Sequence, residues 1–513
     1  MDNRYGNNRI AKNTLFLYIR LAFILIVSLY TTRVVLNALG VEDYGIYNVV
    51  AGFVSLFSFL NASMSSSTQR FYNYKKGAEG TAGMTEVFNT SISIQIVIMV
   101  GTLILLESFG LWYINCKMVI PAERLIAANW LFQFSVINLL FVILQIPYVG
   151  AVIACEKMDY FALVGVIEIL LKLGIVLVLP HVDADKLVFY GSFMFLSGVV
   201  VFFMYALFAR VKFEFIRLKF SYNKVLFKEM LSFTGWTVFD SVAYILKGQG
   251  LNVLLNAFCG PVVNAARGVA YQISNALSGF QANVITAFKP QLIQSYAVKN
   301  QQRVKALMYS SSKISYVLLG AFSIPIIVEI NYILNLWLKG TVPEYTIPFT
   351  IIVLINMTVS SLNTPLSITV QATGRIRNYQ IIRNLMTLCV VPIAWGAMRM
   401  GADPMAVFVI SFIITLIVQP VSMILLHKEF SYSYKEYCLK VLWPCLAFTI
   451  LAPIIPFVLK WFMVEGVIRL IVVTLISVVI SIAVSYFVVF DKSEKKIVNI
   501  WVTNFYSKIR KSK

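Results

Sequence analysis

Charged residues, histidines and ordered cysteine patterns are scarce in this chain. Only 13% of its 513 residues are charged, and it has two histidines and six cysteines. The cysteines are scattered without a C-x-x-C pair, so we expect no metal site, no disulfide framework and no cofactor. The sequence contains no G-x-x-x-x-G-K-[ST] motif, which excludes ATP hydrolysis by a P-loop. We therefore predict a protein that is not an enzyme.

Apolar residues take the place of the missing charge. They make up 59% of the chain and run in stretches of about twenty residues, the length of a membrane-spanning helix. Since a helix satisfies its own backbone hydrogen bonds in lipid, we predict an all-α polytopic membrane protein with fourteen spans. The predicted spans cover residues 14–38, 46–66, 87–113, 126–149, 160–180, 187–209, 229–257, 264–287, 314–336, 346–371, 380–398, 404–427, 440–460 and 466–490.

Lysine and arginine are concentrated in alternate loops, on the side that also holds the N-terminus. Cytoplasmic loops carry such an excess, so both termini are predicted to be cytoplasmic. The net charge of +20 then reflects topology and attraction to anionic membrane lipids. A nucleic-acid partner is not needed to explain it.

Three short patterns occur twice in the same order and at nearly the same separation. Leu36-Asn37-Ala38 recurs as Leu255-Asn256-Ala257. The other pairs are Ala154-x-x-Lys157-x-x-Tyr160 with Ala372-x-x-Arg375-x-x-x-Tyr379, and Tyr74 and Lys76 with Tyr296 and Lys299. We predict two six-helix lobes of the same orientation plus two C-terminal helices, with a central cavity between the lobes. The predicted limits are 1–210 for the first lobe, 211–228 for a cytoplasmic amphipathic linker, 229–430 for the second lobe, and 431–513 for the last two helices with a basic tail.

Several cations fall within predicted spans, and four of them are candidates for a binding site: Arg20, Arg33, Lys247 and Arg267. A charge at mid-membrane costs about 2.5 to 3.5 kcal/mol on insertion scales, so it usually lines a pathway or pairs with another charge. Spans one, seven and eight supply them, and a two-lobed bundle would bring these spans to its centre. We predict a cationic, substrate-binding cavity. The alternatives are an ion pair of Lys247 with Asp240, and snorkelling of the two arginines of span one.

Two acidic residues are candidates for coupling to an ion gradient. Asp240 lies two turns before Lys247, and Glu168 lies one turn before Lys172. Either could carry H⁺ or Na⁺. Glu168 could instead simply neutralise Lys172, because residues four apart face each other on a helix.

The chain also resembles a known family. The residues that carry the resemblance are Arg33-x-x-Leu36-x-x-Leu39-Gly40-x-x-x-Tyr44-Gly45-Ile46-Tyr47, Gln69-Arg70, Lys289-Pro290-x-x-x-x-Tyr296 and Ala372-x-Gly374-Arg375. With the span layout, they look like the polysaccharide-exporter branch of the MOP (multidrug, oligosaccharidyl-lipid, polysaccharide) exporter superfamily, whose fold is MATE-like. The resemblance implies a flippase of the bacterial cytoplasmic (inner) membrane. It would move undecaprenyl-diphosphate-linked oligosaccharide, such as O-antigen or capsule units, to the outer leaflet and work with polysaccharide polymerase machinery.

Other functions remain open at this point. A multidrug exporter of the same superfamily would need acidic residues in its cavity, and here the buried cations outnumber the acids. A flippase for a peptidoglycan precursor would use the same physics on a different headgroup. A glycan polymerase or ligase would need catalytic residues on sizeable outer loops, yet the predicted outer loops are short connections.

Overall fold

The computed structural model describes residues 3–55, 57–116, 118, 120–218, 223–338, 342–496 and 499. Within these ranges the chain is helical throughout and contains no β-strand. Short 3₁₀ and π-helical turns extend or join several of the helices. The predicted all-α class is therefore confirmed, and the relevant questions are where the helices break and which polar residues they place together.

The helices are defined in chain order. In the first half they are α1 (Asn3–Ser55), α2 (Ser58–Glu79), α3 (Ala82–Leu105), α4 (Leu111–Cys116), α5 (Leu125–Ala154), α6 (Met158–Val178) and α7 (Lys186–Lys212). They continue with α8 (Lys224–Ala297), α9 (Gln301–Val328), α10 (Ile330–Trp337), α11 (Thr346–Ser360), α12 (Asn363–Thr373), α13 (Arg377–Leu388), α14 (Val390–Arg399) and α15 (Met405–Glu429). The last are α16 (Tyr434–Tyr437), α17 (Trp443–Leu451), α18 (Ile454–Phe462) and α19 (Val467–Val484).

The two longest helices are each broken by a glycine. Gly40 divides α1 with φ 78° and ψ 172°, and Gly260 divides α8 with φ 79° and ψ −179°. This backbone region is essentially restricted to glycine, because a Cβ would be strained there. Each long helix thus consists of two consecutive straight segments.

The predicted repeat has a counterpart in these backbone breaks. Gly40 and Gly260 share one conformation and occupy equivalent positions in the two repeats. Two further pairs with positive φ follow at nearly the same separation: Gly80 with Lys299, and Glu156 with Gly374. All six residues end or interrupt helices. The repeat therefore lies in the positions of helix ends more than in side-chain identity.

The chain divides into two compact units. The first unit is Asn13–Ser241, and the second unit is Val242–Lys513 with Met1–Lys12. The core of the first unit is centred on α5, with Phe132 and Val136 fully buried. In the second unit, Leu255 and Ala266 of α8 pack with Phe349 of α11.

Among the described residues, ten helices are long and apolar enough to cross a membrane, and an eleventh is added if the bent pair Asp43–Val54 and Phe59–Glu79 counts as one span. The described residues of the fourteen predicted spans lie mostly in helices, and the count of fourteen stays a prediction. The spans outside the ten are 14–38, 46–66, 229–257 and 264–287, which lie on α1, α2 and α8. Of these four, span 14–38 contains the shorter apolar helix Asn13–Ile24, and span 46–66 lies within the bent pair.

The predicted lobe limits stay a prediction. In the predicted linker, α7 ends at Lys212 and α8 begins at Lys224, and Phe213 and Phe215 between them are buried. Residues 219–222 of the linker and most of the predicted tail, 497–498 and 500–513, lie outside the described residues.

Candidate functional site

Arg267 joins the two segments of α8 in the second unit. Its guanidinium Nη2 donates to the carbonyl oxygen of Gly248 at 2.7 Å, and Nη1 donates to Oδ1 of Asn252 at 3.3 Å. The guanidinium also lies 4.7 Å from the ring centroid of Tyr271. The break at Gly260 makes this contact between successive segments of one helix geometrically possible.

The second cation of this cluster is Lys247. It precedes Gly248, the residue whose carbonyl Arg267 binds, so the contact across the break brings Arg267 next to the backbone of the residue that follows Lys247. Among the described residues of the second unit, Lys247 has no ion pair or hydrogen bond. Arg267 Nε and Asn264 Oδ1 are buried and have no hydrogen-bond partner among the described residues. Arg267 Nε therefore remains as an unused donor and Asn264 Oδ1 as an unused acceptor, and the positive charge of Lys247 has no ion-pair partner among the described residues of the second unit.

Arg20 lies in the first unit, against α6. Its guanidinium is 4.5 Å from the ring centroid of Phe161. A Cβ on Gly165 would lie only 2.0 Å from Arg20 Nε, so a larger residue there would displace the Arg20 side chain. The same face of α6 continues to Glu168 and Lys172, which follow Gly165 at helical spacing. Arg20 thus belongs to a polar face of the first unit.

Glu168 and Lys172 line a cavity of about 400 Å³ in the first unit. Its walls come from the second segment of α1 and from α5, α6 and α7. Lys172 Nζ lies 2.6 Å from Glu168 Oε1, with side-chain exposures of 33% and 37%. This partial exposure shows that the pair faces open space. Asn138 and Gln145 of α5 line the same cavity.

Not all predicted site residues can be placed by their side chains. The side chain of Arg33 lies outside the described residues, although its backbone belongs to α1. Asp240 lies on α8 at the end of the first unit. The binding roles of Arg20, Arg33, Lys247 and Arg267, and the coupling roles of Asp240 and Glu168, stay predictions.

A salt bridge network that the sequence did not indicate joins three helix ends of the first unit. Arg124 donates from Nε and Nη2 to the two carboxylate oxygens of Asp43, at 2.7 and 2.6 Å. From Nη1 it donates to Asp185 at 2.6 Å. Asp185 also caps α7 through the backbone amides of Leu187 and Val188. Burial raises the pKa of Asp185, but the hydrogen bonds from Arg124 and from the two amides outweigh it, so the pKa lies below the usual value.

Two of these features had weak signals in the sequence. Asn138 and Gln145 are polar amides inside an apolar helix, a pattern that often marks a functional position in a membrane. The network around Arg124 had no such signal, because Asp43 and Asp185 lie in connections far apart in the chain. Only the folded structure shows that Arg124 binds both aspartates.

Comparison with known proteins identifies the fold. No family model and no curated protein sequence matches the chain, but solved structures do. The chain is similar to an outward-facing multidrug resistance MATE family transporter of the MOP superfamily, with a TM-score of 0.72, 14% identity, and coverage of 83% of this chain and 96% of the other. It is also similar to the structure of MATE in complex with MaD3S, with a TM-score of 0.71, 14% identity, and coverage of 82% of this chain and 96% of the other.

A third similar structure is a MOP superfamily transporter from Pyrococcus furiosus, with a TM-score of 0.69, 15% identity, and coverage of 83% and 98%. Its binding pocket is described as having reverse polarity, which suggests a different function for that protein. The chain therefore has the MATE transporter fold and is a multi-pass membrane protein. The predicted MATE-like fold is confirmed.

Proposed function

We propose that this chain is a flippase for lipid-linked oligosaccharide. It would move undecaprenyl-diphosphate-linked units from the inner to the outer leaflet of the bacterial cytoplasmic membrane by alternating access. The fold supports transport in general. The choice of an anionic, lipid-linked substrate depends on the charge of the candidate site.

The observation that carries the proposal is the cluster of Lys247 and Arg267 in the second unit. Arg267 uses two of its nitrogens on Gly248 and Asn252 and leaves Nε without a described partner. A diphosphate suits such a cluster, because arginine binds phosphate through directed hydrogen bonds and lysine adds a point charge. Arg20 and Arg33 are the further proposed contacts.

The polarity of the helices supports the same choice. Spans seven and eight, which lie on α8 and carry Lys247 and Arg267, are not among the ten helices that are apolar enough to cross a membrane. Polar residues in a membrane usually face protein or water rather than lipid. A headgroup could follow this polar surface while its lipid tail stays in the bilayer. An inside-negative potential would favour outward movement by about 2.3 kcal/mol per negative charge per 100 mV.

Coupling to an H⁺ or Na⁺ gradient belongs to the proposal as a second step. Lys172 already neutralises Glu168 at 2.6 Å, so Asp240 is the first candidate for the coupling residue. We expect Asp240→Asn to leave membrane insertion intact and to abolish the dependence of export on the gradient. Export that still follows the gradient in this variant would exclude Asp240.

The second candidate function is multidrug export, because one of the similar structures is a multidrug resistance transporter. An organic cation would need unpaired acidic residues at the site. The described cluster around Arg267 offers amide, carbonyl and aromatic partners and a second cation. The cluster therefore favours the anionic substrate.

Deletion of the gene tests the proposed function. Undecaprenyl-linked oligosaccharide should accumulate on the inner leaflet, and surface polysaccharide should be lost. Intact surface polysaccharide together with reduced dye or drug efflux would show that the chain is a multidrug exporter.

Substitutions at the cluster test the site. Complementation with Lys247→Ala or Arg267→Lys should lower export at least tenfold at equal membrane content, since the second change removes the planar donor set. Arg399→Lys and Lys428→Ala are matched controls, because both residues are exposed. Export at the control level in both site variants would contradict the cationic site.

A further inference from the structure

The cavity of the first unit is a built space and not a packing defect. Its volume is about 400 Å³, within the range of roughly 300–1000 Å³ that small-molecule pockets occupy. Two glycines of α7 lie on its wall. A Cβ on Gly198 would lie 1.9 Å from Asn138 Oδ1, and a Cβ on Gly191 would lie 2.8 Å from Leu131 Cδ1. Larger residues at these positions would push side chains of α5 out of place.

Hydrogen-bond acceptors are prominent on the polar part of this wall. Asn138 Oδ1 is buried and has no hydrogen-bond partner among the described residues. Ser135 and Ser197 donate their hydroxyl protons to the carbonyl oxygens of Leu131 and Met194, at 2.8 and 2.7 Å. Their oxygens can then only accept further bonds. Such a wall suits a ligand that donates several O–H groups.

The charge of the cavity points to a neutral ligand. Glu168 and Lys172 are the charged residues among its described lining residues, and they neutralise each other at 2.6 Å. A lone ion would have to compete with this internal pair. The carboxylate retains acceptor capacity and the ammonium retains donors, so both can still bind hydroxyl groups.

Aromatic rings form part of the remaining wall. Tyr47, Phe134 and Phe195 line the cavity, and the rings of Phe134 and Phe195 stack with centroids 6.1 Å apart and planes 16° apart. Ligand pockets typically combine such apolar surface with a few placed polar groups. A pyranose ring has matching features, namely apolar C–H faces and a rim of hydroxyl groups.

We propose that this cavity binds one neutral sugar residue. The proposal rests on the proposed function, because that residue would belong to the same lipid-linked oligosaccharide. The volume suits a single ring and not an entire oligosaccharide. The cavity would thus contribute to selection of the glycan, separately from the cations that bind the diphosphate.

The test is equilibrium dialysis of the purified full-length protein with radiolabelled sugars. The probes are D-glucose, D-galactose, L-rhamnose and N-acetyl-D-glucosamine, each competed with its unlabelled form. At least one should bind saturably, at one site per chain. Asn138→Leu, which keeps the volume and removes the amide, and Gly198→Val, which displaces the Asn138 side chain, should each weaken binding at least tenfold.

Two matched controls accompany these variants. Gly101→Val changes a glycine with no atom within 4 Å of its added Cβ, and Asn115→Leu changes an exposed asparagine outside the cavity. Both should bind like the unchanged protein. Because Asn138→Leu hardly changes volume, it tests the site even if Gly198→Val does not fold.

Several outcomes would overturn the sugar site. These are no saturable binding of any of the four sugars, unchanged binding in folded Asn138→Leu, or binding of ²²Na⁺ that disappears in Glu168→Gln and is unaffected by sugar. Failure of this proposal is distinguishable from failure of the proposed function. If cells still export lipid-linked oligosaccharide but the protein binds none of the sugars, only the cavity assignment is wrong.

Discussion

Glu329 and Arg469 form an ion pair inside the second unit, and its removal gives a sharp prediction. Glu329 ends α9, and Arg469 lies in the first turn of α19. Arg469 Nη2 donates to Glu329 Oε2 at 2.8 Å, and the side chains are 7% and 0% exposed. Helices α9 and α19 pack against each other. The pair therefore links α19 to the end of α9 within the second unit.

The expected magnitude follows from this burial. Removing one partner of a buried pair typically costs about 3–5 kcal/mol, because the other charge loses its buried counter-charge. After loss of Glu329, the acidic partner that Arg469 keeps among the described residues is Glu465, at 3.5 Å and 52% exposed. Replacing both partners with neutral residues avoids the buried charge without its partner and is often close to neutral. We therefore expect Glu329→Gln and Arg469→Met each to destabilise the protein strongly, and the double variant to recover most of the loss.

The measurement is a double-mutant cycle of unfolding in detergent, followed by tryptophan fluorescence against denaturant. The pair Glu436–Lys440 is the matched control, because its side chains are 35% and 56% exposed at a distance of 2.7 Å. Exposed pairs contribute about 0.2–1 kcal/mol, so either single change there should have a small effect. A double Glu329→Gln/Arg469→Met variant as unstable as the sum of its single variants would refute the reasoning.

Two further predictions concern the first unit and the helix breaks. Asp185→Asn keeps the helix cap but removes the charge that Arg124 binds, so it should destabilise the protein by up to about 1 kcal/mol at pH 7. The folded-state pKa of Asp185 is lowered. The difference in stability between Asp185→Asn and the unchanged protein should therefore be constant above the pKa of the unfolded state and disappear as the pH falls through the pKa of the folded state. A stability difference that grows towards acid pH would contradict this expectation. Gly40→Ala and Gly260→Ala should each cost about 1–3 kcal/mol in thermal or denaturant unfolding. Gly45→Ala is the control at a helical position with open space around it, and equal effects at all three glycines would refute the assignment of strain.

Much of the architecture could be predicted because it depends on local composition. Stretches of about twenty apolar residues must form helices in lipid, since no other partner for the backbone exists there. The pairing of Glu168 with Lys172 was equally local, because four residues along a helix bring two side chains to one face. The repeat stays a prediction from short sequence patterns; the breaks at Gly40 and Gly260, which share one glycine conformation, are consistent with it.

Other features depended on residues that are distant in the chain. Arg124 meets Asp43 and Asp185 only because the break in α1 and the N-terminal ends of α5 and α7 lie near one another. Arg267 reaches Gly248 only because the helix breaks between them. Periodicity can assign a side chain to a face of a helix, but it cannot say which other helix lies opposite.

The sequence by itself thus determined the class of the protein: an all-helical membrane chain with basic loops, repeated segments and buried positive charge. Hydropathy and charge act on each segment separately, so the helical state of each segment can be deduced from that segment alone. Tertiary structure decided the grouping of the polar residues. It placed Arg20 beside α6, Arg267 against the backbone of the residue after Lys247 across the break in α8, and Asn138 on the wall of a cavity with Glu168. These positions depend on packing between helices, where the shapes of several segments act together.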